Sequence, residues 1–353
     1  MELMMKALIS SGPHNMQYGD TDIPIPEKGE IRIQVMATGV CGGDIKGYQG
    51  KTDPKEMEAM QRNNIIGSGP RIGGHEYAGV VDMIGEGVTN VSIGQRVACY
   101  PTMYCGECPE CLEGKYNLCD YRKVIKPGEN RRQGGFAEYA CFRASNIVPL
   151  QDEITFIQGA MLEPMGVALH VANRAGDLSG KTVAIIGMGS LGFMTLEAIK
   201  LKRPAKIIVL DVLEEKLKLA LQHGAHHAYD STKENIATII RQECTPIDVV
   251  IEAVMVSQTF DLATHLVRNG GIIVGCGLGS FDIVMPWRWM IDHEITLIPC
   301  ITYTTEMYDS AELIRQKEIN IDYIASTFSM DKGPEIMKEI EEGIPYVKVV
   351  FIP

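Results

Sequence analysis

The residues Thr182–Ile186 (TVAII) read as a strand that runs without a spacer into Gly187-Met188-Gly189-Ser190-Leu191-Gly192, and that turn opens the helical stretch Leu191–Arg203, ended by Pro204. Nothing else in the chain restricts the fold as much. The first glycine permits a tight turn, the second lets a pyrophosphate approach the backbone, and the third packs helix against strand. The helix start adds unpaired N–H groups and a positive dipole end, which suit phosphate. The pattern then repeats: strand Lys206–Leu210, helix Glu214–Gln222 with Gly224 just past its end, and a helix near Lys233–Gln242. After these come strand Asp248–Ile251, helix Gln258–Val267 and strand Gly271–Val274. Strands alternating with helices of this length predict an α/β unit built on a doubly wound parallel sheet, spanning residues 155–297. Asp211 stands nineteen residues after Gly192, at the end of the second strand. A carboxylate there accepts hydrogen bonds from an adenosine ribose and repels a 2′-phosphate. No Lys or Arg follows before Lys216, so NAD is expected rather than NADP.

Residues 1–154 have a different texture, rich in glycine, proline and short β-branched runs such as Glu30–Ala37, Tyr77–Ile84 and Gln95–Tyr100. They predict a largely β domain with long functional loops. The segment 298–353, with a helix near Met307–Gln316 and a strand at Val347–Phe351, is expected to return to that domain. The formal charge of −12 offers no basic stripe and argues against a nucleic-acid or anionic-membrane partner. There is no run of apolar residues long enough to span a bilayer, and the N-terminal residues read as a strand rather than a signal peptide.

Ten cysteines in such a chain are expected in a reducing, cytoplasmic setting. Cys105, Cys108, Cys111 and Cys119 fall within fifteen residues, in a lobe at about 99–120 where Gly106, Pro109 and Gly114 let the loop fold back. Four thiolates at this spacing close a tetrahedron about Zn²⁺ with no open position, a structural site. Cys99, Cys141, Cys244, Cys276 and Cys300 are expected to be small buried hydrophobes.

A second set is scattered: Cys41 in Gly39-Val-Cys-Gly-Gly-Asp44, His75 and Glu76 in Gly73-Gly-His-Glu76, and Glu163 in Leu162-Glu-Pro164. Each is weak alone, but each lies at a strand end or glycine-rich turn ahead of the nucleotide fingerprint. With the four-cysteine lobe and the final Lys348-Val-Val strand, these motifs resemble the zinc-dependent medium-chain dehydrogenases over essentially the whole length. Glu163, where simple alcohol dehydrogenases carry cysteine, makes the chain more similar to the polyol, butanediol and threonine dehydrogenases.

The resemblance implies a GroES-like β-rich catalytic domain beside a Rossmann domain, two zinc ions per chain, NAD, and a homodimer or homotetramer. It implies that Cys41 and His75 bind a catalytic zinc, with Glu76 and Glu163 as ligands or partners of bound water, and that Asp44 orients His75 through its second ring nitrogen. Such a zinc acts as a Lewis acid on the substrate oxygen while hydride passes to the nicotinamide, in a cleft between domains. The resemblance also suggests cofactor contacts at Val167, Leu191, Lys216, Val274 and Lys348, the last near the pyrophosphate. Read without it, Leu191 and Val274 are packing residues and Lys348 a solvated charge.

Two departures stand out. Gly43 replaces the hydroxyl residue that relays the alcohol proton, leaving water held by Glu76 or Glu163, or Lys46 or Tyr48, to do so. The segment Gly47–Arg71 is longer than expected and reads as a loop carrying a short charged helix, either shaping specificity or a plain surface insertion. His223, His226 and His227 read as a surface turn, and His170 as a hydrogen-bonded core residue. Trp287 and Trp289 fit either the cleft or a subunit contact. The substrate is expected to be a small hydroxylated molecule, with a sugar alcohol, vicinal diol, hydroxy amino acid or polyol phosphate all compatible. A charged one would need Lys46, Arg71 or Arg288, which favours an uncharged polyol or diol.

Overall fold

The computed structural model describes residues 4–55, 57–58, 70–119, 134–244, 246–280 and 282–353. The chain divides into two units, residues 1–163 with 307–353, and residues 164–306. The sequence places these breaks at 154/155 and 297/298. The first difference has a local cause: the helix Phe156–Ala160 packs on the first unit, where a Cβ at Gly159 would stand 2.7 Å from Leu150 and 2.8 Å from Ala78.

The first unit holds a three-stranded antiparallel sheet, in which Met4–Gly12 lies between Asn15–Asp22 and Arg71–Ile72. Beside it runs a sheet with Glu30–Gly39 at its centre. That strand pairs antiparallel with Glu76–Ile84, with Tyr139–Arg143 and with Lys348–Ile352, and the last pairs parallel with Ala325–Ser329. The expected return of the chain to this domain is therefore a matter of backbone pairing, through Val350 to Gly39 and Phe351 to Thr38. Ile31, Ile33, Val35, Val81 and Val97 form its core, the inward half of the alternating strands.

The second unit is a six-stranded, all-parallel sheet. In spatial order its strands are His227–Asp230, Lys206–Asp211, Thr182–Ile186, Ile247–Glu252, Val267–Gly275 and Thr296–Pro299. The first strand of this unit, Thr182–Ile186, sits in the middle and the order reverses beside it, which puts the glycine turn at the switch point where such sheets bind ligands. Ala184, Ile208, Val250, Ile273 and Phe260 fill the core. The strand His227–Asp230 went unforeseen. His227 begins it, and His226 accepts the Ile207 N–H on Nδ1 at 3.0 Å, so this is a sheet connection and not only a turn. Part of the expected helix in 47–71 lies outside the described residues; Gly42–Tyr48 forms a helix ahead of it.

Among the described residues no helix is long and apolar enough to cross a membrane. Trp289 is fixed inside its own unit: its indole N–H donates to the Thr264 carbonyl at 3.1 Å, and its ring stacks between His265 and His293 at 4.5 and 3.8 Å. Trp287 is 65% exposed.

Candidate active site and metal centres

Three side chains from two separate stretches of the sequence converge in the first unit. One ligand atom from each of Cys41, His75 and Glu76 lies within 4.8 Å of the other two. Cys41 caps the helix Gly42–Tyr48, and Glu76 begins the strand Glu76–Ile84 beside Gly39 in the ladder. The turn that aims His75 is locked by glycines. Gly74 holds φ +87°, and a Cβ there would meet the Phe136 ring at 2.7 Å; one at Gly134 would stand 1.8 Å from the Gly73 carbonyl oxygen.

Burial pulls the His75 pKa down. Cys41, by charge and by a hydrogen bond, then Glu163 and Asp44, outweigh it and hold the imidazole well above its ordinary value. Glu163, at the start of helix Leu162–Arg174, is thus near enough to be felt, yet it stands outside the three-residue cluster.

Asp44 departs from expectation. It makes no hydrogen bond to His75; its Oδ2 accepts the Cys41 N–H at 3.0 Å. A helix begins there, and an acidic side chain in its first turn is drawn to the free N–H groups. Burial raises the Asp44 pKa, with the His75 and Lys348 charges opposing.

Lys348 departs further. Its side chain is 1% exposed, Nζ donates to the Val40 carbonyl at 2.9 Å, and it forms an ion pair with Glu76 Oε2. It is neither a solvated charge nor free for a pyrophosphate in this arrangement. Gly39 makes room for the pair, since a Cβ there would lie 2.3 Å from Glu76 Oε2 and 3.1 Å from Lys348 Cε. The pair leaves Glu76 Oε1 for a metal.

The donor set tests well against zinc. A thiolate, an imidazole and a carboxylate, with a fourth corner open, are the ligands of a reactive zinc site. In the lobe, the ligand atoms of Cys105, Cys108, Cys111 and Cys119 also lie within 4.8 Å of one another. Cys105 Sγ is 3.9 Å from Cys111 Sγ and 3.7 Å from Cys119 Sγ. A tetrahedron with Zn–S bonds of 2.3 Å has edges of about 3.8 Å. Backbone N–H groups of Glu107 and Cys108 bring the Cys105 thiol down to about 7, while burial and the neighbouring thiols push Cys111 up. Sulfurs this close cannot all ionise without a cation among them.

In the second unit the backbone requires glycine at the first and third positions of the turn. Gly187 has φ +92°, and a Cβ at Gly192 would stand 2.0 Å from the Gly187 carbonyl oxygen. Gly189 caps the helix Ser190–Lys200 without a side-chain hydrogen bond, and Ser190 Oγ is buried with no hydrogen-bond partner. Uncapped N–H groups and an unpartnered hydroxyl fit a phosphate. Asp211 accepts the Met188 N–H at 2.6 Å and the Leu213 N–H at 3.0 Å, so it also braces this turn. A carboxylate has lone pairs left for a ribose. Leu191 lies in the first turn of that helix and Lys216 in the first turn of Glu214–Gln222. Val274 is fully buried between Ile251 and Ile298 in the sheet, so its side chain is packing.

Residues 27–152 match the alcohol dehydrogenase GroES-like domain, and residues 190–316 the zinc-binding dehydrogenase domain. The zinc-type alcohol dehydrogenase-like protein YdjJ of Escherichia coli is 32% identical over 88% of this chain and 87% of its own length. The chain belongs to the zinc-dependent medium-chain alcohol dehydrogenase family. Among its relatives in that family, the L-threonine 3-dehydrogenase of Rhizobium etli is 30% identical over 88% of this chain and 86% of its own. A zinc-binding dehydrogenase of Sinorhizobium meliloti, solved with NADP bound, is 26% identical with a TM-score of 0.85, covering 100% of both chains. As a medium-chain alcohol dehydrogenase, this protein is an oxidoreductase with the family's GroES-like and Rossmann-type units.

Proposed function

We propose that the protein oxidises a secondary alcohol, an uncharged polyol or diol, to the ketone, with NAD as hydride acceptor and two zinc ions per chain. The observation that carries this reading is the convergence of Cys41, His75 and Glu76 within 4.8 Å. These three would hold the reactive zinc, and Cys105, Cys108, Cys111 and Cys119 a structural one. Bound zinc supplies Lewis-acid polarisation of the substrate oxygen, and the dinucleotide supplies the hydride acceptor.

The chain's own residues do the rest. Lys348 fixes one oxygen of Glu76, so only the other is offered inward. Gly43 brings no hydroxyl, and a Cβ there would stand 4.0 Å from Cys41 Sγ, so that a serine side chain would sit at the site's edge. In its absence Glu163 would take the alcohol proton through water, a role supported by its burial and by its influence on the His75 pKa. Gly187, Gly189, Gly192 and Ser190 would take the pyrophosphate, and Asp211 the adenosine ribose, with no arginine beside it to accept a 2′-phosphate. A substrate without charge suits the basic side chains: Arg288 is engaged with Asp292 at 2.8 Å. Four closely spaced thiols kept for metal fit a reducing compartment such as the cytoplasm, and family likeness supports a homodimer or homotetramer.

The test is an NAD-reduction screen over polyols, vicinal diols, threonine and polyol phosphates, with NADP as control, alongside metal analysis. The reading expects turnover with an uncharged polyol or diol, NAD preferred over NADP, and about two zinc per chain. Turnover confined to charged substrates, or preference for NADP, would overturn it.

A further inference from the structure

The strands Ile247–Glu252 and Val267–Gly275 run side by side in the second unit, but their ladder is broken near its start. Ile247 pairs with Val267 and Val249 with Ile272, so Arg268, Asn269, Gly270 and Gly271 stand against Asp248 alone. A bulge of this kind turns side chains out of the ladder and is a built feature of a sheet. Gly270 holds φ +67° and its N–H donates to the His293 carbonyl at 2.8 Å; a Cβ at Gly271 would lie 2.4 Å from Val267 Cγ2. Beside the bulge is a hollow of about 350 Å³. Buried Ile247 and Leu266, with Pro246, give it an apolar lining, and exposed Arg241, Arg268 and Asn269 a polar one. Arg268 is aimed by its partners: Nε donates to Asp248 Oδ1 at 2.7 Å and Nη1 to the Asn269 carbonyl at 2.9 Å. Asp248 is itself fixed, its Oδ2 accepting the Thr182 N–H at 2.9 Å. Arg241 comes from the helix Ile236–Glu243, with Nη2 3.4 Å from the Val267 carbonyl oxygen, and among the described residues no carboxylate pairs with it. Glu243, at the end of the same helix, accepts the Tyr229 hydroxyl at 2.9 Å.

We propose that this hollow binds a small molecule with an oxyanion head, a carboxylate or phosphate ester, on a short apolar body. Two guanidinium groups and the Asn269 amide bring together the donors that hold such oxygens, and a guanidinium fork takes a carboxylate or phosphate two bonds at a time. Asp248 answers the charge of Arg268, while that of Arg241 is left for the ligand. On a chain of formal charge −12 this is a local exception, because most of the surface repels anions. Ile247 and Leu266 take the apolar body, so neither a bare inorganic anion nor a neutral alcohol uses the whole site. The volume lies in the range of small-molecule sites. Its place in the fold separates it from the dinucleotide. The glycine turn follows Ile186, at the carboxyl end of the parallel strands, whereas the hollow lies where Ile247–Glu252 and Val267–Gly275 begin. No residue of either metal cluster or of the glycine turn lines it, so the site stands or falls apart from the dehydrogenase reading.

The experiment titrates the zinc-loaded full chain, without dinucleotide, with isovalerate and with phenyl phosphate in a calorimeter. Inorganic phosphate and isoamyl alcohol are the controls for head and body alone. At least one of the two oxyanion-headed probes should bind saturably and about tenfold tighter than either control, and which one does so tells carboxylate from phosphate ester. Arg241→Met should weaken that binding about tenfold, the effect of losing one charge-assisted hydrogen bond. Asn269→Asp, which sets a negative charge beside Arg268, is the second variant and should weaken it too. Both residues are exposed, and circular dichroism checks that each variant keeps its fold. No saturable binding of either probe below about 10 mM would overturn the proposal. Controls that bind as well as the probes would do the same. So would binding that either folded variant leaves unchanged, the result expected of a probe lodged at the catalytic metal or in the glycine turn.

Discussion

At the scale of single residues, the site is decided by one buried charge meeting another. Lys348 and Glu76 are 1% and 2% exposed, so either one left alone would be an uncompensated ion in an apolar setting. Lys348→Met should therefore lower unfolding stability by ~3–5 kcal/mol. Adding Glu76→Gln should restore much of it, by denaturant melts read as a double-mutant cycle. An additive double variant would mean that the pair contributes no coupling. Glu163 makes the contrasting prediction. It bears on His75 without joining the three-residue cluster, so Glu163→Ala should reduce kcat at least tenfold while zinc content stays at the wild-type level. Unchanged turnover would remove Glu163 from the proton path. The two residues also differ in how visible they were. Glu163 stands in a Glu-Pro segment whose family likeness marks it. The role of Lys348 depends on a partner 272 residues away and on a glycine whose missing side chain makes the space. Short-range patterns carry no trace of such a contact.

At the scale of elements, legibility follows the range of the forces involved. The helix Glu214–Gln222 and the strand Thr182–Ile186 have the expected limits, because local periodicity and the glycine turn define them. The four-cysteine lobe was readable for the same reason, its ligands lying within fifteen residues. The short strand His227–Asp230 was not, since its side chains are half-buried and only pairing with Lys206–Asp211 makes it a strand. The helix Leu162–Arg174 and the helix Glu306–Arg315 are joined by the His170–Glu306 ion pair, and this junction has a pH signature. Burial raises the Glu306 pKa, but the His170 hydrogen bond and then the Thr304 N–H bring it to about 2, while His170 is lifted to about 9. A raised histidine contributes stability that is complete below its unfolded value of about 6.5 and fades as pH climbs through about 9. A depressed carboxylate contributes above about 4.5, and its share fades as pH falls through about 2. The difference in Tm between wild type and His170→Asn should thus be largest near pH 5–6 and shrink by pH 9.5. A difference that stays constant across that range would mean that packing, not charge, holds the junction.

At the scale of the whole molecule, the two metal centres should separate by what they support. Metal binding to a lobe without a core of its own is folding energy. Cys111→Ser should bring zinc from about two per chain to about one and lower Tm, because the lobe loses the ion that would cross-link it. His75→Ala should also lose one zinc and should abolish turnover, with far less effect on Tm, since strands on both sides hold that turn. Zinc content, Tm and rate measured together decide it; a Cys111→Ser chain as stable as wild type would deny the lobe a structural ion. The first unit is also interrupted by the second, residues 164–306. Its sheet therefore waits for the strand Lys348–Ile352 to pair with Glu30–Gly39. On the ribosome, Glu76 is made 272 residues before its counter-charge, and Val40 waits 308 residues for the ammonium that its carbonyl accepts. The nascent chain can shape its nucleotide-type sheet early, but Glu76 gains the ammonium that fixes one of its oxygens only when nearly the whole polypeptide has been synthesised, so the three-residue cluster reaches its final arrangement only after translation has passed Lys348.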